Sequence, residues 1–448
     1  MTSDVEVALE LDDIQSGVLR PRPSPYAATY ILLRIDDRAA GRELMKRLSL
    51  VVTSAAASQS ALGDAWLSVA LSFQGLKALG VPPASLAGFA WEFQQGMAAR
   101  AGALRDYGES GPEHWERPLG TPEVHVVLAA VAPGSEQLET VLARGRRTYE
   151  ALSGVTAIWR QDCHALPDEK EPFGFRDGIN HPPVEGSGIP GTDPNEPPYK
   201  AGEFILGYRD EMGGLPPAPS PEVLGRNGTY VVFRKLHQRV AQFRAYIRSQ
   251  TSETEDEEFI AAKMMGRWRS GAPLALCPLH DDSELGGDPQ RNNDFRYQDD
   301  PAGYHTPLGS HIRRANPRDA KIAGEVRLHR MIRRGAAYGP PLPEGVTQDD
   351  GIDRGLMFTF IGAHLKRQFE FVQSEWINDG VFAGLAGARD PVVGAASSEG
   401  VFSVPRRPIP KRMKGLPQFV VTRGGEYCFM PGLRALRWLA DLKDAEEN

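Results

Sequence analysis

The chain has few cysteines for its 448 residues, namely Cys163, Cys277 and Cys428. They lie far apart, are odd in number and form no CxxC pair, so neither a disulfide framework nor a zinc knuckle is indicated. Three ordinary thiols in a reducing compartment are the simplest interpretation. The first residues also lack the basic start and apolar stretch of a secretory signal. We therefore expect a cytoplasmic protein.

The sequence also lacks an excess of positive charge. Its 51 Lys and Arg residues are outnumbered by 58 Asp and Glu residues, for a net charge of -7. A basic surface for a phosphate-rich partner is therefore missing, and we expect no nucleic acid partner. Hydrophobic residues make up 41% of the chain, yet no run approaches the roughly 20 apolar residues of a membrane-spanning helix. We expect no membrane partner and a soluble protein.

What the chain does have is length and a regular alternation of strand and helix patterns. Its length is enough for two packed halves. Strand patterns alternate with helical patterns at 39–50, 74–79 and 136–152, and the strands are expected at 26–35, 65–72, 125–132 and 156–162. This alternation, with short connections, predicts an α+β fold.

A second series of similar elements follows the first. The run YILLR at 30–34 is echoed by YVVFR at 230–234, and each precedes a helical pattern, the second at 238–248. The pattern then predicts a strand at 356–362, an amphipathic helix at 366–376, paired strands at 418–422 and 427–430, and a last helix at 433–442. The echo predicts two α+β halves, residues 1–222 and 223–448.

The first candidate for chemistry is the pentapeptide Gly174-Phe175-Arg176-Asp177-Gly178. Its glycines would let the backbone approach a flat ligand closely, with Asp177 pointing into a cavity. Taken alone, the segment is more typical of a turn, because Asp-Gly is a common turn pair.

Two further segments are rich in arginine. Residues 309–318 contain His311 followed by three arginines within seven positions. Imidazole can ligate iron and guanidinium groups can pair with haem propionates, although a salt-bridged surface segment is the ordinary alternative. Residues 329–340 place Arg333 among apolar residues. Arg333 would be a fixed positive charge in a pocket, or else part of a solvated basic face.

In their order along the chain, these segments resemble the dye-decolorizing peroxidase family of haem enzymes. The resemblance extends over nearly the whole chain and includes residues 13–19, 174–178, 202–211, 227–235, 309–318, 332–340, 368–373 and 423–427. It implies an α+β fold of two ferredoxin-like halves with antiparallel β-sheets and flanking helices, similar to a dimeric α+β barrel, with haem b as cofactor. It also implies an enzyme that reduces hydrogen peroxide and oxidises dyes and phenolic or other aromatic donors through an oxoferryl intermediate. The first half would carry the distal loop, and the second the proximal histidine and distal arginine.

The resemblance also implies residue roles. His311 would be the axial ligand of the haem iron, Asp177 the distal acid-base residue and Arg333 the distal arginine. Asp390 would accept the other ring N–H of the histidine; a turn aspartate before Pro391 is an equal alternative. If Asp177 is the base, we expect an acidic optimum for dye oxidation, because an ordinary aspartate titrates at about 3.9.

Further residues are predicted around the cofactor and at the surface. Leu356 and Phe358 share one strand face and resemble the apolar lining of the pocket, with plain core packing as the alternative. The other predicted cofactor contacts are Phe175, Gly178, Ile179, Arg313 and Arg314. Bulky dyes cannot reach a buried haem, so Trp376 and Tyr338 are candidates for electron transfer at the surface, or else are merely packed aromatics.

Two other classes of function remain possible from the sequence. A haem-handling protein, for storage, porphyrinogen oxidation or chlorite breakdown, would need His311, but storage has no use for Asp177 and Arg333. A hydrolase that uses Asp177 with His181 would need no iron. The sequence leaves the oligomeric state open.

Overall fold

The computed structural model describes residues 8–56, 64–253, 255–320, 325–395 and 400–444. Eleven strands are present in these residues: β1 Ala27–Ile35, β2 Trp66–Ser72, β3 Val126–Ala132, β4 Val155–His164, β5 Thr229–Gln238, β6 Ile332–Arg333, β7 Ala336–Tyr338, β8 Gly355–Gly362, β9 Val401–Val404, β10 Lys411–Lys414 and β11 Val420–Met430. Nine of them form one sheet, and β9 and β10 form a separate hairpin.

The helices flank this sheet. The α-helices of six or more residues are Arg38–Leu48, Phe73–Ala78, Ser135–Tyr149, Val240–Ser249, Glu257–Met265 and Leu433–Ala440. Shorter α-helices are Ser16–Leu19, Pro83–Leu86, Trp91–Gln95, Ala101–Leu104, Glu222–Gly225, Ser283–Gly287 and His311–Ala315. No helix in the described ranges is long and apolar enough to cross a membrane.

The first half of the chain is a ferredoxin-like unit. Its elements follow the order β1, Arg38–Leu48, β2, β3, Ser135–Tyr149, β4, and the strands lie side by side as β4-β1-β3-β2, all antiparallel. Asp37 begins the first helix, because its carboxylate accepts a hydrogen bond from the Ala40 N–H at 2.8 Å. Leu44 and Leu48 on that helix are fully buried, as the helical spacing predicts.

The second half repeats this arrangement. It runs β5, Val240–Ser249, β6 and β7, β8, a helical segment at 366–377, and β11, with the strand order β11-β5-β8-β6 and with β7 also paired to β8. The antiparallel pairing of β2 with β11 joins the halves into one sheet. Among the described residues no strand pairing closes this sheet into a barrel. The α+β class is confirmed, while the division of the chain at residue 222 stays a prediction.

Most predicted elements agree with the structure to within a few residues, and two differ in kind. The predicted strand pair at 418–422 and 427–430 is the single strand β11, because Gly424 and Gly425 continue the strand instead of turning it. Gly424 has a φ of +148° beside a register shift against β5, as in a bulge. The predicted amphipathic helix at 366–376 consists of two π-helical segments, Lys366–Glu370 and Val372–Ile377.

Candidate active site

A cavity is lined by one face of the sheet of the second half, by the helix His311–Ala315 and by loop residues of the first half. Leu236 pairs with Leu356, and Arg234 with Phe358, across β5 and β8. Directly paired residues share a face, so these four side chains form one wall. The π-helical segment contributes Phe369, Val372, Gln373 and Ile377. Such π-helical turns are frequent at functional sites.

On the helix side of the cavity lies His311. Its Nδ1 is 2.9 Å from Oδ2 of Asp390, whose side chain is fully buried. The other oxygen of Asp390 accepts hydrogen bonds from the N–H groups of Val392 and Val393 at 2.8 and 2.9 Å. Burial raises the pKa of Asp390, but the charge and hydrogen bond of His311 outweigh burial, and the pKa is lowered overall. Asp390 therefore holds the ring by Nδ1 and leaves Nε2 as the nitrogen for a ligand.

On the sheet side lies Arg333. It is paired with Phe360 on β8, two residues from Phe358, and so shares the face that lines the cavity. Burial lowers the pKa of Arg333, and the nearby charge of Asp177 opposes that effect. None of the described residues hydrogen-bonds to its guanidinium group, although the side chain is accessible from the cavity. Arg333 is thus a cation that is exposed to the cavity and free to meet an anionic or polar ligand.

Asp177 lines the same cavity from the loop between β4 and β5. Its side chain is about one-third exposed, and Oδ2 lies 3.9 Å from Nη2 of Arg22. Gly174 and Gly178 have φ values of +94° and +78°, a region that glycine enters without a steric cost. Phe175 is buried against Phe243, with ring centroids 6.5 Å apart. The segment follows a turn at 172–173 and bends at Gly174 and Gly178, and it brings Asp177 to the cavity.

The structure places five of the other predicted lining residues on the cavity and two away from it. Phe175, Gly178, Ile179, Leu356 and Phe358 all line the cavity. Arg313 and Arg314, for which a cofactor contact is predicted, are not part of the cavity wall within the described residues.

The reason lies in the rotation of the helix. Each helical residue turns the side chain by about 100°, so the helix presents His311 and Ala315 to the cavity and directs the two arginines away from it. Arg313 binds Asp300 and the Thr306 carbonyl, whereas Arg314 donates to the carbonyls of Trp376 and Ala388.

Other arginines, which the sequence did not single out as cofactor contacts, line the cavity. Arg318 pairs with Asp193 at 2.9 Å, and Arg330 pairs with Glu196 at 3.1 Å. Both arginines are buried, and each has several N–H donors in a fixed plane. They could hold the carboxylates of a cofactor. Arg318 lies near His311 in the sequence, but Arg313 and Arg314 lie nearer, so proximity to His311 does not identify Arg318 as the lining residue.

The two aromatic residues predicted to lie at the surface are buried. Trp376 and Tyr338 are only 3% and 1% exposed, so their prediction as surface residues is wrong. Trp376 packs edge-on against Phe371, with centroids 5.5 Å apart, because it closes an aromatic cluster under the π-helical segment. The Tyr338 hydroxyl lies 3.2 Å from Asp353, which is half exposed.

A pairing of Asp177 with His181 is not supported. His181 is not among the described residues that line the cavity. Its Nδ1 lies 3.3 Å from Nη1 of Arg334, and burial together with the Arg334 charge lowers the pKa of His181 to about 3. A neutral imidazole held against an arginine is not placed to act with Asp177.

The lining fits a flat, largely apolar cofactor that carries iron and carboxylates. Phe175, Leu356 and Phe358 supply apolar surface, Nε2 of His311 supplies a ligand atom, and buried arginines supply partners for carboxylates. Asp177 and Arg333 add a carboxylate and an unpaired cation to the same cavity.

Comparison with known proteins agrees with this site. No protein-family model matches the sequence. A dye-decolorizing peroxidase of Mycena epipterygia is 30% identical to the chain over 480 residues, which cover 97% of this chain and 87% of that protein. A dye-decolorizing peroxidase solved in complex with 2,6-dimethoxyphenol is 27% identical, with a TM-score of 0.84 over 96% of this chain and 100% of that one. Another, solved after its haem pocket was engineered for asymmetric sulfoxidation, is 26% identical, with a TM-score of 0.82 over 97% and 100% of the two chains. The chain belongs to the dye-decolorizing peroxidase family.

Proposed function

We propose that this chain is a peroxidase that reduces hydrogen peroxide and oxidises dyes and phenolic or other aromatic donors, using haem b held by His311. The observation that carries this proposal is the meeting of three groups on one cavity: His311 backed by Asp390, the carboxylate of Asp177 and the unpaired guanidinium of Arg333. Haem storage would need only the first of them. The 2,6-dimethoxyphenol bound to a relative of similar fold supports aromatic donors.

Asp177 and Arg333 would have different roles in the cleavage of peroxide. When bound, the haem would supply a coordination position for peroxide and would take up the oxidising equivalents that O–O cleavage releases. Asp177 accepts the proton of the inner oxygen and returns it to the outer oxygen, directly or through a water molecule. Arg333 stabilises the negative charge that develops on the departing oxygen, in a site where little water competes.

His311 and Asp390 would set the electronic properties of the iron. The carboxylate of Asp390 fixes the tautomer of His311 and increases electron donation by its Nε2. Arg318 and Arg330 would bind the cofactor carboxylates through N–H groups that Asp193 and Glu196 leave available. A cytoplasmic location is also part of the proposal, and it is supported by three cysteines that are all free thiols.

A stopped-flow experiment tests these roles. The haem-loaded protein, Asp177→Asn and Arg333→Leu are mixed with hydrogen peroxide, and the change of the Soret band is followed. Each substitution should slow the change by at least a hundredfold, since general acid-base catalysis and one stabilising donor each contribute about 10²-fold or more. The matched control is Asp349→Asn, an exposed position. An unchanged rate in Asp177→Asn alone would make Arg333 the main catalyst, and unchanged rates in both would refute the proposal.

A further inference from the structure

A second buried carboxylate, Glu171, borders the cavity and has no part in the chemistry above. Only 8% of this residue is exposed, and it lines the cavity six positions before Asp177. Burial raises the pKa of Glu171, while hydrogen bonds from Phe175, Phe173 and Gln238 oppose that effect. A carboxylate in such a place requires a structural or functional reason, because burying an unsatisfied charge is costly.

Glu171 is the centre of the loop that leads to Asp177. Its Oε2 accepts a hydrogen bond from the Phe173 N–H at 3.0 Å, and its Oε1 accepts one from the Phe175 N–H at 2.9 Å. Its main chain closes the same loop, because the Gly174 N–H donates to the Glu171 carbonyl at 2.7 Å and the Glu171 N–H donates to the Phe175 carbonyl at 2.8 Å. Four polar groups of one residue therefore fix residues 173–175.

The carboxylate also ties this loop to the sheet. Nε2 of Gln238, at the end of β5, donates to Oε2 of Glu171 at 2.7 Å. β5 carries Leu236 and Arg234 on the cavity wall, and it pairs with β8, which in turn pairs with β6 and Arg333. Through Gln238 and Glu171, the loop of Asp177 is thus held in register with the sheet face that presents Arg333.

The requirement for a carboxylate follows from hydrogen-bond chemistry. Two backbone N–H groups approach two different oxygens, and only a carboxylate has two acceptor oxygens. A glutamine has one, so it would leave at least one loop N–H group unpaired or facing an amide donor. The anchored N–H of Phe175 lies two residues before Asp177, and the next N–H, of Arg176, donates to the Arg269 carbonyl at 3.2 Å. Loss of the carboxylate would remove both bonds that hold the loop N–H groups of Phe173 and Phe175, and would leave the main-chain bonds of Glu171 and Arg176 and the bond from the Arg269 guanidinium to the Phe173 carbonyl.

We propose that Glu171 is a positioning residue, which holds the Asp177 loop against the sheet so that the carboxylate of Asp177 meets peroxide beside Arg333. The inference rests on the proposed role of Asp177 as the acid-base residue. Displacement of about 1 Å at a catalytic group can cost on the order of 10²-fold in rate, so loss of one loop anchor should be visible in the peroxide step.

The test is a double-mutant cycle on the haem-loaded protein with Glu171→Gln, Asp177→Asn and the double variant. Glu171→Gln should slow the Soret change with peroxide by at least tenfold, and by less than twofold in the Asp177→Asn background, because the loop then has no acid-base group to position. The control is Glu139→Gln, since the side chain of Glu139 is 59% exposed on the helix Ser135–Tyr149; it should leave the rate unchanged.

A second measurement reports on the loop itself. Hydrogen exchange of peptides that contain residues 173–177 should be at least tenfold faster in Glu171→Gln than in the parent protein, with exchange elsewhere unchanged. If Glu171→Gln does not fold, Gln238→Leu removes only the third hydrogen bond and should slow the peroxide step about threefold, again only when Asp177 is present.

The outcomes separate this inference from the function on which it rests. If Asp177→Asn is slow but Glu171→Gln, or Gln238→Leu in its place, reacts at the parental rate, the inference is wrong and the function stands. It is equally wrong if the two substitutions slow the reaction independently, so that their effects multiply. If Asp177→Asn reacts at the parental rate, Asp177 is not the acid-base residue and the inference fails with that role, whereas the proposed function fails only if Arg333→Leu also reacts at the parental rate.

Discussion

Replacement of Asp390 by asparagine should weaken haem binding through the tautomer of His311. Oδ1 of Asp390 accepts two backbone N–H groups, and only Oδ2 faces Nδ1 of His311. In Asp390→Asn the amide oxygen has to keep the two backbone bonds, because the amide nitrogen cannot accept. The amide N–H would then face Nδ1 and favour the tautomer that carries its proton on Nε2, the nitrogen that ligates iron.

The size of the effect follows from the bond that is lost. A hydrogen bond to a charged group contributes about 1.5–3 kcal/mol, and loss of such a partner to a metal-bound histidine lowers metal affinity about 10- to 100-fold. We therefore expect the Kd for haem to rise by about that factor in Asp390→Asn.

Titration of the cofactor-free protein with haem, followed at the Soret band, measures this Kd. The exposed Asp349→Asn serves as the control and should leave the Kd unchanged. A parental Kd together with a parental Soret spectrum in Asp390→Asn would refute the reasoning, since the histidine would then not depend on its carboxylate.

Two further predictions concern buried groups outside the cavity. Burial raises the pKa of Glu426 to about 7 from 4.5, so its stabilising contribution is fully present below pH 4.5 and is lost as the pH rises through 7. The difference corresponds to about 3 kcal/mol. Chemical unfolding between pH 4.5 and 8 should therefore show the parent losing stability relative to Glu426→Gln, and parallel curves would contradict the prediction. Arg314→Met leaves the carbonyls of Trp376 and Ala388 without this donor and should lower the free energy of unfolding by about 1–3 kcal/mol at an unchanged Kd for haem. A weaker Kd for haem at an unchanged free energy of unfolding would show instead that Arg314 contacts the cofactor.

The strands could be predicted because short runs of apolar residues mark strands that are buried on both faces. Runs such as 30–34 and 230–234 are apolar on both faces, as expected of strands covered by helices on one side and by long loops on the other. The glycine pair at 424–425 is harder to interpret, because glycine permits both a turn and a bulged strand. Only the pairing of β11 with both β5 and β2 decides between them.

For the site, sequence order predicted which segments meet but not which side chains face the cavity. His311, Asp177 and Arg333 come together from three separate segments. Arg313 and Arg318 both follow His311 closely in the sequence, and only the rotation of a five-residue helix and the course of the chain after it direct Arg318 inward and Arg313 away. Likewise, Trp376 is buried because a π-helical turn shifts the 3.6-residue spacing on which an amphipathic pattern is judged. No sequence pattern identifies Glu171, because its proposed role depends on hydrogen bonds from two backbone N–H groups, which every residue type except proline can supply.

The absorption spectrum of the purified, haem-loaded protein before and after one equivalent of hydrogen peroxide tests the central claim most directly. A Soret band should be present in the protein and absent from His311→Ala, and peroxide should shift it quickly in the parent and slowly in Asp177→Asn. A protein that binds no haem, or whose Soret band is the same in His311→Ala and does not respond to peroxide, would contradict the account.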